Sequence, residues 1–357
     1  MDQGGARSQG LAVSDSATLR IGLSRDFLTT AGERSFDDAA WLRLQALPGT
    51  ALEFLSAPPT SALTPEDVAR FDVLVTKRNP LSAATLQARG LRLRLLVRNG
   101  VGFDHIDVPA CTQAGVAVCT TPDAVARPVA SATMALMLAF SHDLFTRDRL
   151  TRAGRWSERW NRAGMALTGR TLGVVGLGNI GCELLRLAAP WGMRHLGHTP
   201  RFDAARHGAL GVEPVALDEL LSGSDFVALC CPLNARTRGL LDARRIGMMR
   251  PGTYLLNLAR GEVVDEDALV AALQARRIAG AGIDVYATEP PRVDHPLFAL
   301  DNVIVGSHNL AYTDALNQDA NRSAAEAVCR FHAGLRPAGV LDPMAWTHPR
   351  LKALVAA

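Results

Sequence analysis

The sequence predicts an α/β fold with two domains, each a Rossmann-like, doubly wound parallel sheet. A strand-like run at 171–175 leads into the turn Gly176-Leu177-Gly178-Asn179-Ile180-Gly181 and then into a helical stretch at 182–189, the order found where a dinucleotide-binding unit begins. Short apolar runs alternate with helical patterns on both sides of this turn. Because the turn lies mid-chain and 357 residues are enough for about two domains, we expect another domain ahead of it.

The region before residue 123 predicts a polar tail followed by a βα domain. Residues 1–17 are rich in Gly, Ser, Asp and Gln and are expected to be disordered. After them, apolar runs predict strands at 19–23, 71–75, 95–98 and 116–118. Helical patterns lie at 36–45, 64–70 and 83–88. We assign residues 18–122 to a substrate-holding domain.

The region from 123 to 313 predicts the dinucleotide-binding Rossmann domain. Its apolar runs predict six strands, at 171–175, 194–197, 226–231, 253–258, 280–285 and 303–305. The apolar stretch 129–140 predicts a buried helix that is too short to span a bilayer. The Ala-rich stretch 313–333 predicts a long helix that returns the chain to the first domain. That domain is therefore expected to be discontinuous, with residues 314–357 as its second segment.

The composition is that of an ordinary globular protein. The chain is 48% hydrophobic and 20% charged, and its net charge of +3 is too small to indicate a nucleic-acid partner. The polar start, Met1-Asp2-Gln3-Gly4-Gly5, lacks the apolar core of a signal peptide, so we expect a cytoplasmic protein with no membrane partner. None of the six cysteines is spaced as CxxC, which argues against a disulfide scaffold and against a metal site.

The glycine turn predicts contacts with the pyrophosphate of a dinucleotide. Gly176 permits the tight turn, Gly178 lets the backbone approach the phosphates, and Gly181 lets helix and strand pack closely. Asn179 and Ile180 begin the helix, whose N-terminus favours the phosphate charge. These five residues are therefore predicted to bind the cofactor.

The end of the next strand predicts NADP or NAD, with NADP favoured. An acidic residue about 20 positions beyond the glycine turn usually accepts the ribose hydroxyls of NAD, but Thr199 stands in that region. Arg201 follows and offers a fork for the 2′-phosphate of NADP. Two alternatives stay open. Asp203 accepts the ribose hydroxyls while Arg201 is solvated, or the protein uses both cofactors.

Three ionisable residues follow strands of the predicted second sheet, namely Arg260, Glu289 and His308. Ligands bind at the carboxyl ends of strands in open α/β sheets, so a cation, a carboxylate and an imidazole should converge beside the dinucleotide. Reduction of a 2-oxo acid needs such a set, since the cation binds the carboxylate and the imidazole acts as proton donor.

With these residues in place, the chain resembles the D-isomer-specific 2-hydroxyacid dehydrogenases, which have the formate and glycerate dehydrogenase type of fold. The resemblance runs from about residue 60 to 315 and rests on these segments: Arg98-Asn99-Gly100-Val101-Gly102-Phe103-Asp104-His105-Ile106-Asp107, the glycine turn, Cys231-Pro232-Leu233, Met249-Arg250-Pro251-Gly252, Asn257-Leu258-Ala259-Arg260-Gly261, Asp284-Val285-Tyr286-Ala287-Thr288-Glu289-Pro290 and Ser307-His308. It implies that Arg260 binds the substrate carboxylate, that His308 is the acid/base and that Glu289 holds the imidazole in its charged form. The implied activity interconverts a small 2-oxo acid, of the glyoxylate, hydroxypyruvate or sugar-derived class, and its D-2-hydroxy acid.

Further residues are predicted to complete both binding sites. The resemblance implies cofactor contacts from residues after the later strands, namely Cys231, Pro232, Thr237, Leu258, Ala259 and Asp284, the last of them near the nicotinamide amide. Backbone N–H groups of Gly100, Val101 and Gly102 are expected to form an anion nest for the substrate carboxylate, across a cleft that domain closure would seal. Lys77 is a further substrate candidate, and its alternative is a solvated strand end.

Two departures and two alternatives accompany the resemblance. Family members commonly carry proline where Ser307 stands and glutamate where Ser131 stands. One alternative is an enzyme like 3-phosphoglycerate dehydrogenase, although a chain ending at residue 357 is not expected to hold an added regulatory domain. The other is a dinucleotide-sensing binding protein, against which the three ionisable residues argue. The resemblance also implies a homodimer, as in the family's dimers, with the stretches 129–140 and 156–160 as the candidate two-fold interface.

Overall fold

The computed structural model describes residues 18–161 and 163–354. Strands β1 to β12 are Leu19–Leu23, Thr50–Phe54, Val73–Thr76, Leu95–Arg98, Ala117–Thr120, Thr171–Val175, Arg194–His198, Val212–Pro214, Phe226–Leu229, Tyr254–Asn257, Gly280–Ile283 and Val303–Val305. Helices α1 to α13 are Asp38–Gln45, Pro65–Arg70, Ala83–Leu86, Val108–Gln113, Pro122–Ser141, Leu144–Arg152, Asn179–Ala188, Ala204–His207, Leu217–Gly223, Ala243–Met248, Glu266–Gln274, Asp314–His332 and Pro349–Lys352. The prediction of a disordered tail at 1–17 lies outside the described residues.

The described chain divides into two compact units. The first takes in 18–125 and 313–354, and the second takes in 126–312 apart from residue 162. The first unit is thus built from two separate segments of sequence.

The first unit contains a five-stranded parallel sheet in the order β2-β1-β3-β4-β5. One face carries Ile21, Val73 and Leu95, and it packs with residues of α12 such as Val328 and Phe331. The other face carries Leu74, Leu96 and Val118 in a separate apolar cluster. Both faces are therefore covered, as expected for parallel sheets.

Strand β2 was missed by the sequence analysis. It is an edge strand whose five residues are all half-buried, so it lacks the apolar run of a central strand. Its Glu53 forms ion pairs with Arg20 and Arg70. Burial raises the pKa of Glu53, but the hydrogen bond from Arg20, the largest effect, and the contacts with Arg70 lower it overall.

The second unit contains a seven-stranded parallel sheet in the order β12-β11-β10-β9-β6-β7-β8. The α/β class with two parallel sheets is confirmed. Six strands were predicted here and the seventh, β8, was missed, because it has only three residues, ends in proline and is mostly exposed. The chain runs outward from β6 through β7 to β8 and then returns to place β9 on the other side of β6. The boundary between β6 and β9 is therefore the point where strand order reverses, which is where such sheets bind ligands.

Helix α5 spans 20 residues, more than the 129–140 stretch predicted, because its polar first turns are helical too. By length and composition alone it could cross a membrane, and 44% of its most apolar window is buried. Met134 and Met137 lie in an apolar cluster with residues of β6, β9 and β10. Phe140 stacks on Tyr254 with ring centroids 4.6 Å apart. The expected burial therefore applies to one side of the helix.

Candidate active site

The glycine turn lies at the point where strand order reverses. Gly176 has a φ of +102°, and a Cβ there would lie 2.7 Å from the backbone nitrogen of Cys231. A Cβ on Gly181 would lie 2.1 Å from the carbonyl oxygen of Gly176. Gly178 is the N-cap of α7 and provides no side-chain cap, so the first N–H groups of the helix remain available to an anion. The turn fits a dinucleotide pyrophosphate.

The segment after β7 carries the residues predicted to select the cofactor. Thr199 is half-buried and Arg201 is exposed. The Oδ1 atom of Asp203 accepts N–H groups of Ala205 and Arg206 at 2.9 and 3.3 Å and so caps α8. This carboxylate already has a structural role, which weakens the alternative in which it binds the ribose.

A second arginine, which the sequence analysis missed, reaches the glycine turn. The Nη2 atom of Arg206 donates to Oδ1 of Asn179 at 2.7 Å. The buried His207 holds α8 against the same turn, since its Nε2 atom lies 3.1 Å from the carbonyl oxygen of Leu177. The only sign of this contact in the sequence was that Arg206 is a second basic residue, after Arg201, downstream of Thr199.

The remaining predicted cofactor residues follow the neighbouring strands. Cys231 is buried beside Gly176, and the loop after it is fixed because the hydroxyl of Thr237 donates to the carbonyl of Pro232 at 2.6 Å. Leu258 and Ala259 are half-buried after β10. All of these residues follow β9, which is adjacent to β6, or β10, the next strand in the sheet, and so lie at the carboxyl edge of the second sheet.

Arg260 is placed by a tight turn at the end of β10. The side-chain amide of Asn257 donates to the carbonyl of Arg260 at 2.9 Å and accepts the N–H of Ala259 at 3.1 Å. A Cβ at Gly261 would lie 1.9 Å from the carbonyl carbon of Tyr286. Glycine is therefore required after Arg260, because this turn contacts the backbone of the loop that carries Glu289.

Glu289 and His308 form a direct contact. Oε2 of Glu289 lies 2.7 Å from Nδ1 of His308, and both side chains are about one-third exposed. Burial raises the pKa of Glu289, but the hydrogen bond and charge of His308, the N–H of Tyr286 and the charge of Arg260 together lower it below its usual value. The carboxylate is therefore held ionised beside the imidazole.

The loop of His308 is held in an uncommon conformation. His308 has a φ of +58°, in the left-handed region. Its N–H donates to the carbonyl of Asp284 at 2.7 Å. The Asp284 carboxylate accepts the N–H groups of Asn309 and Leu310 at 3.1 and 3.2 Å. Burial raises the pKa of Asp284, although these N–H groups oppose the shift. Asp284 thus supports the loop, and its predicted nicotinamide contact stays a prediction.

The predicted anion nest lies in the first unit and needs one correction. The N–H of Gly100 donates to Oγ1 of Thr121 at 2.7 Å, so it is already used within the unit, and the nest prediction narrows to Val101 and Gly102. Asn99, which precedes Gly100, is held by a hydrogen bond that the sequence did not predict. Its side-chain amide donates to Oδ1 of Asn321 at 2.8 Å, and both side chains are buried.

Lys77 lies in the same unit, with Nζ 4.8 Å from the ring centroid of Phe27. Burial is the main cause of its lowered pKa; Asp26 opposes the shift, while the positive charges of Arg78 and Arg98 add to it. Lys77 thus lies near two further cations in this part of the first unit. Its predicted contact with substrate stays a prediction.

Known proteins are similar in sequence to this chain over most of its length. A glyoxylate reductase of Korarchaeum cryptofilum is 34% identical over 290 residues, which are 80% of this chain and 87% of that protein. A D-3-phosphoglycerate dehydrogenase of Methanocaldococcus jannaschii is 36% identical over 270 residues, which are 75% of this chain and 51% of that protein. The chain thus spans about half the length of the second relative.

A solved structure and a family model agree with these alignments. A D-lactate dehydrogenase from Aquifex aeolicus, solved with NAD and lactic acid, has a TM-score of 0.75 and 26% identity, and the match covers 87% of this chain and 95% of that one. The model described as D-isomer specific 2-hydroxyacid dehydrogenase, NAD binding domain, matches residues 134–309. The chain therefore belongs to the D-isomer-specific 2-hydroxyacid dehydrogenase family.

Proposed function

We propose that this protein is an NAD(P)-dependent oxidoreductase that interconverts a small 2-oxo acid and its D-2-hydroxy acid. The observation that carries the proposal is the 2.7 Å contact between His308 and Glu289. These residues and Arg260 follow the consecutive strands β12, β11 and β10. They lie at the sheet edge that also carries the glycine turn.

The glycine turn and α7 would hold the dinucleotide, with Gly176, Gly178 and Gly181 giving the backbone room and the N-terminus of α7 facing the phosphates. A bound nicotinamide supplies or accepts the hydride. Arg260 offers a planar fork that matches the substrate carboxylate. In the reducing direction His308 gives a proton to the alkoxide that develops at C2, and Glu289 stabilises the charged imidazole before that step. Because Glu289 engages Nδ1, the proton leaves from Nε2.

A steady-state assay of reduced-nicotinamide absorbance tests this function. NADH and NADPH are each combined with glyoxylate, hydroxypyruvate, 2-ketogluconate and 3-phosphohydroxypyruvate. We expect turnover with at least one pair. No turnover with any pair, together with tight cofactor binding by fluorescence, would instead support the dinucleotide-sensing alternative.

A second candidate substrate class is the phosphorylated oxo acid of 3-phosphoglycerate oxidation. It is favoured by a group of cations in the first unit, in which Arg78 and Arg98 lie near enough to Lys77 for their charges to lower its pKa. A second anionic group on the substrate would be stabilised there. A kcat/KM for 3-phosphohydroxypyruvate well above that for glyoxylate would select this class.

We further propose that the cofactor is NADP in preference to NAD. The proposal rests on Thr199 in place of a carboxylate, on the exposed Arg201 and on Arg206 beside Asn179. Two guanidinium groups near the adenosine end would bind the 2′-phosphate.

Substitution of Arg206 by alanine should raise the Kd for NADPH about 10- to 100-fold and leave the Kd for NADH nearly unchanged, because a charge-assisted hydrogen bond is worth roughly 1.5–3 kcal/mol. Isothermal titration calorimetry measures both constants. Arg186→Ala is the matched control, since Arg186 is an exposed arginine of α7 that pairs with Glu183. Tighter binding of NADH than of NADPH by the unmodified protein would overturn the preference.

We also propose a homodimer. Trp156 and Trp160 are 64% and 81% exposed, and Arg159 lies within 5.2 and 5.3 Å of their ring centroids. An exposed aromatic cluster of this kind is typical of an interface. Sedimentation equilibrium gives the molecular mass that decides the question.

A further inference from the structure

A second histidine–carboxylate pair, His295 and Glu266, is bonded to the loop that carries Glu289. Nε2 of His295 is 3.0 Å from Oε1 of Glu266, and these side chains are only 12% and 23% exposed, compared with 31% and 29% for His308 and Glu289. Nδ1 of His295 accepts the N–H of Leu297 at 3.3 Å. A backbone N–H can only donate, so the proton of His295 is on Nε2 and is donated to Glu266.

Glu266 links this second pair to the loop of Glu289. Its Oε2 atom accepts the N–H of Ala287 at 3.1 Å, two residues before Glu289. Glu266 itself is the first residue of α11. One carboxylate therefore ties the start of a helix, the His295 ring and the Glu289 loop together.

Tyr286 connects the same loop to that of His308. Its N–H donates to Oε1 of Glu289 at 3.2 Å, and its phenol donates to the carbonyl of Gly306 at 2.7 Å. The ring is 5% exposed and meets the rings of His295 and Phe298 edge to face. Burial, with the negative charges of Asp284, Glu289 and Glu266, raises the pKa of Tyr286 to about 12. The phenol thus stays protonated and remains a donor at neutral pH.

Tyr286 contacts the segments that carry all three proposed catalytic residues. The turn of Arg260 lies directly on the carbonyl of Tyr286, where only the glycine at 261 leaves room. Tyr286 bonds the carboxylate of Glu289 on one side and the backbone two residues before His308 on the other. Ser307 stands between Gly306 and His308 and does not fix φ as a proline would, so the phenol contact supplies a restraint on this segment.

We propose that Tyr286, Glu266 and His295 form a positioning unit that fixes Glu289 and His308 in the geometry needed for proton transfer, without contacting substrate or cofactor. This inference rests on the proposed oxidoreductase function. Its physical basis is preorganisation, because a proton donor held by buried hydrogen bonds need not be ordered during the reaction.

The central test replaces Tyr286 by phenylalanine, which keeps the ring and the backbone N–H and removes only the hydroxyl. We expect kcat to fall about five- to tenfold, in line with the loss of one hydrogen bond, while the KM for the oxo acid and the Kd for cofactor stay unchanged. Glu266→Ala removes two contacts and should reduce kcat further. Tyr254→Phe is the matched control, because Tyr254 is a buried tyrosine at the start of β10.

A double-mutant cycle separates positioning from general destabilisation. In the Glu289→Gln background, Tyr286→Phe should have little further effect on kcat, because the phenol acts by holding the His308 segment against the Glu289 carboxylate, and that carboxylate is already gone. Fully additive losses, with a melting temperature lowered more than in Tyr254→Phe, would overturn the proposal.

Hydrogen–deuterium exchange provides a readout that does not depend on activity. In Tyr286→Phe, amides of the segment 303–312, including the His308 N–H bonded to Asp284, should exchange faster, while those of β6 and β9 should not change. Faster exchange in a protein inactive on every substrate would refute the proposed function but keep the positioning unit. Unchanged exchange in a protein that turns over an oxo acid would refute the positioning unit but keep the proposed function.

Discussion

Replacing His308 by glutamine should lower turnover by about 10²- to 10⁴-fold and leave cofactor affinity unchanged. Glutamine can donate a hydrogen bond but cannot transfer a proton at neutral pH. The glycine turn follows β6, and three strands separate β6 from β12 in the sheet order, so the change should not disturb the dinucleotide. The quantities to measure are kcat under saturating substrate and the Kd for cofactor by fluorescence.

The backbone at this position calls for a second variant. Because His308 has a φ of +58°, a substitution that disfavours the left-handed region would add strain. Asparagine adopts that region more readily than most residues, so His308→Asn tests the chemistry with the loop conformation preserved. His332→Gln is the control, since His332 lies at the end of α12 in the first unit and its Nε2 atom is 2.9 Å from the carbonyl oxygen of Pro48. Near-wild-type turnover in both His308 variants would exclude an acid/base role.

Replacing Arg260 by lysine should lower kcat/KM for the oxo acid by about 10- to 100-fold. Lysine keeps the charge but loses the planar fork, and a hydrogen bond to a charged group is worth roughly 1.5–3 kcal/mol. Steady-state kinetics on the best substrate of the panel measures the loss. Arg244→Lys, at an exposed ion pair with Asp218, should show no change, and an equal kcat/KM in Arg260→Lys would rule out the fork.

Arg260→Gln separates charge from geometry through its pH dependence. The Arg260 charge is one of the causes that lower the pKa of Glu289, so its removal should move that pKa upward. An acid whose pKa is lowered stays ionised until the pH falls through the lowered value. The acidic limb of kcat against pH should therefore lie at higher pH in Arg260→Gln than in Arg260→Lys. Coincident limbs would show that Arg260 does not influence Glu289.

Residues with a strong local signal were predicted correctly from the sequence, and residues that act through distant neighbours were not. The glycine turn and the apolar run before it predicted β6 and α7, because steric demands on glycine are local. Strands β2 and β8 lie at sheet edges, where exposure removes the apolar pattern. The requirement for glycine at 261 comes from a backbone 25 positions later in sequence, at Tyr286, which no local pattern reveals.

The candidate site shows the same division. The sequence predicted that Arg260, Glu289 and His308 each follow a strand of one sheet, and each of them does; their catalytic roles stay predictions. The role of Gly100 was misjudged, because its N–H is taken by Thr121 in a contact that depends on tertiary structure. Arg206 was missed because its hydrogen bond to Asn179 depends on the position of the short helix α8, which the local sequence does not determine.

The two-segment construction of the first unit has a consequence for biosynthesis. Its apolar cluster joins Ile21 of β1 and Val73 of β3 with Val328, Phe331 and Trp346. The last three residues leave the ribosome more than 200 residues after the first two. At roughly 5–20 residues per second, about 10–40 s pass between residue 125 and the end of α12. During that interval the continuous second unit can fold, while the nascent N-terminal segment presents uncovered apolar side chains. Chaperone dependence during translation is therefore expected to map to residues 18–125.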